Sequence, residues 1–304
     1  MKTWYYPSCG QGLIQASLWQ PEGEIKAIVQ FVHGIAEHAA RYDDFAREMN
    51  RHGILVVAED HMGHGGSVGA SGVRGYFHGG WMSAVQDTYT LLQQTMRQYP
   101  GVPYILYGHS MGSFMARTIL WRWPDSGIAA AVLSGTAWQP PLVLKLGLAV
   151  AGREAKKLGP TQVSPLMCRL MFGMYNNHFR DVQSPYDWLS RDRAVVRAYD
   201  ADPMCGFDPT VGLARDLLQG IKMIQDTGNL AKMNRSLPVL FLAGDQDPVG
   251  ARGKGVRQAA QAFRRCGMED VTCRLYPGGR HEMHNEINKN AVYADVIRWI
   301  FDKI

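Results

Sequence analysis

Between Tyr104 and Leu120 the chain reads YILYGHSMGSFMARTIL. An apolar run of β-type residues leads into Gly108-His109-Ser110-Met111-Gly112, and a segment with helical spacing follows. Only a strand that turns very sharply into a helix satisfies that order. The turn holds its central residue in a strained backbone conformation, with the side chain projecting from the sheet edge. Glycines at 108 and 112 let the strand and helix approach closely. A helix that begins just behind Ser110 favours negative charge there.

The rest of the chain fits a sheet built around such a strand. Short apolar β-type runs occur at 13–19, 27–32, 54–60, 104–108, 129–134, 239–244 and 272–276. From residue 27 onwards most are separated by stretches with helical spacing, at 41–53, 83–99, 111–123, 254–267 and 288–304. Strand followed by helix, repeated, predicts an α/β fold: a mostly parallel sheet with helices on both faces. No helical stretch separates the runs at 13–19 and 27–32, which predicts an antiparallel edge formed by these two. The alternation fails between about Ala137 and Asp208, where the sequence is rich in Met, Leu, Pro and aromatic residues. The expected organisation is therefore a catalytic core of residues 1–136 and 209–304, with residues 137–208 forming a helical cap over the carboxyl edge of the sheet. Leu142, Leu146, Leu148, Met167, Leu170, Met171 and Met174 are the first choices for an apolar lining under that cap; they serve equally as the insertion's own core.

Composition narrows the setting. With 46% hydrophobic residues, 304 residues suffice for a full core. The formal net charge of +5 is scattered, with no continuous basic stripe, which argues against nucleic acid as a partner. Five cysteines, an odd number with no C-x-x-C pair, read as free thiols in a reducing compartment. The first residues lack an apolar signal core, and no stretch is apolar enough to span a bilayer. A soluble, cytoplasmic protein is expected, with segment 140–152 as an amphipathic element for transient contact with a membrane or micelle.

A serine hydroxyl needs a base to become a nucleophile. Beside a G-x-S-x-G turn the acid and base follow in the order Ser, Asp, His. After the run VLFLAG come Asp245-Gln246-Asp247-Pro248, and after TCRLY come Pro277-Gly278-Gly279-Arg280-His281. Both loops lie at strand carboxyl ends, on the side where Ser110 emerges. Ser110 is the candidate nucleophile and His281 its base. Asp247, further into its loop, is preferred over Asp245 as the acid that orients the base. The backbone N–H of Met111 and that of Ile35, in the loop His33-Gly34-Ile35-Ala36-Glu37-His38, are candidates for binding an oxyanion. The cluster Asp60-His61-Met62-Gly63-His64 reads as a glycine-rich structural loop, and His281-Glu282-Met283-His284 is not H-E-x-x-H. No metal and no cofactor are expected.

Four blocks, HGIAEHAARY (33–42), DHMGHGGS (60–67), GHSMGS (108–113) and GDQDPV…GGRHEMHNE (244–286), resemble the monoacylglycerol lipase and lysophospholipase family of α/β-hydrolases. The resemblance implies an α/β-hydrolase fold and a serine esterase acting on single-acyl-chain lipids, with a cap that forms an apolar tunnel. It also implies that Glu37, Arg41 and His284 help hold a glycerol head group. A buried Glu37–Arg41 ion pair that only fixes the loop is the equally weighted alternative. A lysophospholipase, a short-chain or aryl carboxylesterase, a peptidase using the same triad, and a non-catalytic ligand receptor on this scaffold are the competing readings.

Overall fold

The computed structural model describes residues 1–68 and 72–304. Among the described residues, eight strands form one sheet in the order β1-β2-β4-β3-β5-β6-β7-β8. They are β1 Lys2–Pro7, β2 Leu13–Trp19, β3 Ala27–Val32, β4 Ile54–Glu59, β5 Tyr104–His109, β6 Ala130–Ser134, β7 Val239–Gly244 and β8 Val271–Tyr276. From β4 to β8 all pairings are parallel. Strands β3 to β7 are buried at every position, which is why they read as unbroken apolar runs.

The antiparallel edge differs from the expected pairing. β2 does not pair with β3; it pairs with β1 on one side and β4 on the other. The connection from residue 20 to 26 carries the chain past the place that β4 occupies. The edge strand β1 was not legible in the sequence, because only Tyr6 of its six residues is fully buried and the apolar pattern is weak.

The helices are α1 Asp43–Arg51, α2 Trp81–Gln98, α3 Met111–Arg122, α4 Pro141–Leu158, α5 Pro165–Phe172, α6 Arg193–Ala201, α7 Val211–Ile224, α8 Thr227–Leu230, α9 Lys254–Arg265 and α10 Lys289–Phe301. Phe45 and Met49 of α1 and Val296 and Ile300 of α10 cover one face of the sheet, against Val29, Phe31 and Tyr107. Leu91 of α2, Met115 and Ile119 of α3 and Phe263 of α9 cover the other, against Ile28, Leu106 and Phe241. Each such side chain contributes roughly 1.5–3 kcal/mol when fully buried. Two packed faces hold β5 at the centre of the sheet, so the loops after β3, β5, β6, β7 and β8 converge at one edge. The helices α4 to α6 follow β6, and a short antiparallel bridge joins Val163, before α5, to Thr210, before α7.

Candidate active site

Ser110 sits between β5 and α3 with φ 52° and ψ −122°. A non-glycine residue there stores roughly 1–3 kcal/mol of backbone strain. The surroundings enforce it. The Ser110 amide donates to the Ser134 carbonyl (2.9 Å), and the Ser113 amide and hydroxyl both donate to the Ser110 carbonyl (2.9 and 2.6 Å). A Cβ on Gly112 would stand 2.0 Å from the Val32 carbonyl oxygen, so α3 can start this close to β3 only with glycine at 112. The Met111 N–H belongs to the first turn of α3, where amides have no carbonyl partner within their own helix.

His281, which borders the same cavity as Ser110, meets Asp247. His281 Nδ1 donates to Asp247 Oδ2 at 3.0 Å, with both side chains buried. Asp247 Oδ1 accepts from the Val249 amide (2.8 Å), which fixes the carboxylate. Burial opposes a charge on His281, but the Asp247 carboxylate and its hydrogen bond outweigh it and hold the imidazole above its ordinary pKa. Asp245 is turned elsewhere: its Oδ1 accepts from the Gly278 amide (2.8 Å) and stitches the β7 and β8 loops together. The indole of Trp188 packs against the His281 ring at 5.1 Å between centroids.

The loop after β3 is set by histidine chemistry. The His61 amide donates to His33 Nε2 (3.0 Å), so the His33 proton is on Nδ1 and points at the Gly34 carbonyl (2.7 Å). Burial keeps His33 neutral by pushing its pKa well down. Glu37 reaches back within the same loop: its Oε1 accepts from the Gly34 amide (2.5 Å) and from Tyr42 Oη (2.7 Å). Arg41 bonds Glu37 and makes a two-pronged pair with Glu282, at 2.8 Å on each oxygen. Glu282, unread in the sequence as a partner, stands 241 residues from Arg41.

A cavity of about 320 Å³ opens over these groups. Ser110, His281, Ile35 and Glu37 border it, and Phe172, Tyr186, Trp188 and Leu189 form its apolar side. Arg41 and His284 do not border it. Arg41 lies behind Glu37, with its guanidinium 4.6 Å above the Tyr199 ring. His284 is fully buried with its ring edge-on to His109 at 4.5 Å, and burial lowers its pKa to about 3. Among the described residues, neither of its ring nitrogens has a hydrogen-bond partner.

None of the seven residues expected either to line the cap or to form its core borders this cavity. Leu142, Leu146, Leu170 and Met174 are exposed, and Met167 is buried. Leu148 borders a separate groove with Trp138 and Leu144. The lining comes from the aromatic segment 185–189 and the end of α5. An Asp-Trp-Leu run after Pro185-Tyr186 was the available signal.

A mostly parallel, helix-flanked sheet with a strained serine and a buried His–Asp pair at its carboxyl edge defines an α/β-hydrolase, here a serine ester hydrolase of lipase type. Residues 23–288 match the family described as serine aminopeptidase, S33, and the chain belongs to that family. A monoacylglycerol lipase of Mycolicibacterium smegmatis is 32% identical over 93% of this chain and 91% of its own length. The monoglyceride lipase of Homo sapiens is 28% identical over 93% of this chain and 84% of its own. Among solved structures, a highly thermostable carboxyl esterase from Bacillus coagulans in complex with glycerol superposes with a TM-score of 0.92, at 31% identity over 99% of this chain and 98% of that one. No helix among the described residues is long and apolar enough to cross a membrane.

Proposed function

We propose that this serine hydrolase cleaves single-acyl-chain lipid esters, with monoacylglycerols as the first candidates. The observation that carries the reading is the cavity itself: Ser110 and His281 border a pocket of about 320 Å³ whose insertion side is aromatic and aliphatic. The glycerol ligand and lipase names of the similar proteins point to the same chemistry. The family description names a peptidase. An apolar wall beside Ser110 suits an acyl chain better than a peptide amino terminus, which would want acidic groups left free to meet it. Glu37, Glu282 and Asp208 also border the cavity; the two glutamates are committed to Arg41, and Asp208 stands against the Cys168 thiol.

In the proposed cycle Ser110 attacks the ester carbonyl while His281 takes its proton. Asp247 holds the imidazole in the required tautomer and stabilises its charge. The N–H groups of Ile35 and Met111 bind the oxyanion; one such donor is worth about 2.7–4 kcal/mol in the transition state. The alcohol leaves with a proton from His281, and water activated by His281 then frees the fatty acid. Glu37 is assigned to a head group because it borders the cavity. Arg41 and His284 are assigned supporting roles behind it. Residues 1–136 and 209–304 are assigned to the catalytic core and 137–208 to the cap.

The cap also presents Leu142, Val143 and Leu146 of α4 and Leu166 and Leu170 of α5 to solvent. We assign this face to transient contact with a membrane or micelle. Leu142→Ser combined with Leu146→Ser should lower turnover of micellar substrate several-fold and leave a soluble short-chain ester unaffected; equal rates on both would remove the contact.

The deciding experiment measures kcat/KM across monoacylglycerols of increasing chain length, matched lysophospholipids, aryl esters and amino-acid amides, with Ser110→Ala as control. Preference for monoacylglycerols with a dead control supports the reading. Preference for short aryl esters would reduce it to a general esterase, and turnover of amides alone would replace it.

A further inference from the structure

His38 and Asp202 are separated by 164 residues, yet His38 Nε2 lies 2.8 Å from Asp202 Oδ2. The Cys205 thiol completes a cluster in which the imidazole nitrogen, carboxylate oxygen and sulfur all fall within 4.8 Å of one another. The turn after α6 creates this convergence. The Cys205 amide donates to the Asp202 carbonyl (2.9 Å), and the Met204 amide donates to Asp202 Oδ1 (2.8 Å). The Met204 bond occupies one carboxylate oxygen and leaves the other facing His38. His38 and Cys205 are buried, while the Asp202 side chain keeps 26% of its surface in solvent, which gives an ion a way in.

We propose that His38, Asp202 and Cys205 form a binding site for a divalent cation of the zinc class. One nitrogen, one sulfur and one oxygen donor suit Zn²⁺, Co²⁺ or Cd²⁺; Mg²⁺ and Ca²⁺ require shells of oxygen. Three protein ligands leave a fourth position for water on the Asp202 side. Binding requires the His38 proton on Nδ1, so that the Nε2 lone pair is free, and loss of the Cys205 proton to solvent. It also requires the Nε2 to Oδ2 separation to open to about 3.3 Å, since zinc bonds to nitrogen and oxygen run about 2.0–2.2 Å.

The ligands come from the two sides of the cavity. His38 follows the Ile35–Glu37 loop, and Cys205 precedes Gly206, whose amide donates to the Ala36 carbonyl (2.9 Å). Tyr199 Oη donates to that same carbonyl (2.8 Å). Ala36 and Gly206 both border the cavity. A bound cation therefore clamps the end of α6 onto the loop assigned to the oxyanion and slows substrate exchange. This consequence rests on the proposed esterase cycle, whereas metal binding itself does not.

The test titrates the metal-free protein with Co²⁺ alone. A near-ultraviolet sulfur-to-cobalt band with visible tetrahedral bands is expected, and Zn²⁺ should displace both. Loss of an outer-shell partner alone weakens metal sites roughly 10–100-fold. Cys205→Ser should therefore abolish the sulfur band and raise the Zn²⁺ concentration for half-displacement at least about tenfold, with Asp202→Asn as the second variant. Absence of the band in the wild-type protein, or a band that persists in Cys205→Ser, would overturn the site. Zn²⁺ should slow ester turnover over the same concentrations at which it displaces Co²⁺, and Cys205→Ser should need at least about tenfold more. Equal inhibition of both proteins would overturn the clamp while leaving the spectroscopic site standing.

Discussion

Asp247 and His281, 34 residues apart in the chain, meet at 3.0 Å between Oδ2 and Nδ1 with both side chains withdrawn from solvent. With Nδ1 bound to Asp247, Nε2 is the nitrogen left to serve Ser110 in the proposed cycle. Asp247→Asn keeps the shape but lets the ring adopt the wrong tautomer. Turnover should fall about 10⁴-fold while the fold survives. Circular dichroism alongside ester kinetics checks both halves. Asp245→Asn, which disturbs the hydrogen bonds from the Gly278 amide and the Gln246 side chain, should cost less than tenfold. A larger loss there than at Asp247 would exchange the two roles.

The same contact sets the pH profile. In the proposed cycle His281 must be neutral to accept the Ser110 proton, so activity should rise with pH as the imidazole loses its charge. Burial lowers its pKa, but the Asp247 carboxylate more than compensates, and the folded value lies above the ordinary 6.5. The acid limb of kcat/KM should therefore fall above pH 6.5. In Asp247→Asn burial acts unopposed by that carboxylate, and the limb should move to lower pH. A limb that stays in place in the variant would mean that another group controls it.

Much of this arrangement could be read before the structure. Strands buried on both faces announce themselves as apolar runs, and the sharp turn at Ser110 carries its own glycines. β1 could not be read in the same way, because an edge strand with one buried side chain has no periodic signal. The pairing of β2 with β4 depends on where a later strand lies, which local sequence does not encode. The cavity wall was misassigned because Met- and Leu-rich helices look like lining. In the folded chain Leu142, Leu146 and Leu170 face solvent, while Phe172 and Trp188 border the cavity. Glu282 went unread because its partnership with Arg41 exists only across 241 residues.

Gly135 is a sensitive point beside His281, the proposed base. Its φ is +58°, and a Cβ there would stand 2.9 Å from His281 Cε1 and 3.1 Å from His109 Cε1. Gly135→Ala should cost about 1–2 kcal/mol in stability from the left-handed backbone alone. Its effect on turnover should be larger, on the order of 100-fold, because the added methyl displaces the imidazole. Melting temperature and kcat measured on one preparation separate the two. A proportionate loss in both would show that the side chains move aside freely.

Arg41 balances two buried carboxylates, and the three charges are not equivalent. Burial, with Glu282 close by, raises the Glu37 pKa despite Arg41. Glu282 resists burial through its two-pronged bond to Arg41 and falls to about 2. Removing the cation strands both acids, so Arg41→Met should cost about 3–5 kcal/mol. Glu282→Gln loses a charge-assisted pair and should cost about 1.5–3 kcal/mol. Glu37→Gln should cost least, since its charge is the one that burial disfavours most and the amide keeps an oxygen for the Gly34 amide. Urea unfolding at neutral pH gives the ranking. The Arg41→Met penalty should also shrink as pH falls, because protonation relieves the stranded carboxylates. A Glu37→Gln protein that unfolds most easily of the three would mean that Glu37, not Arg41, anchors the loop carrying Ile35.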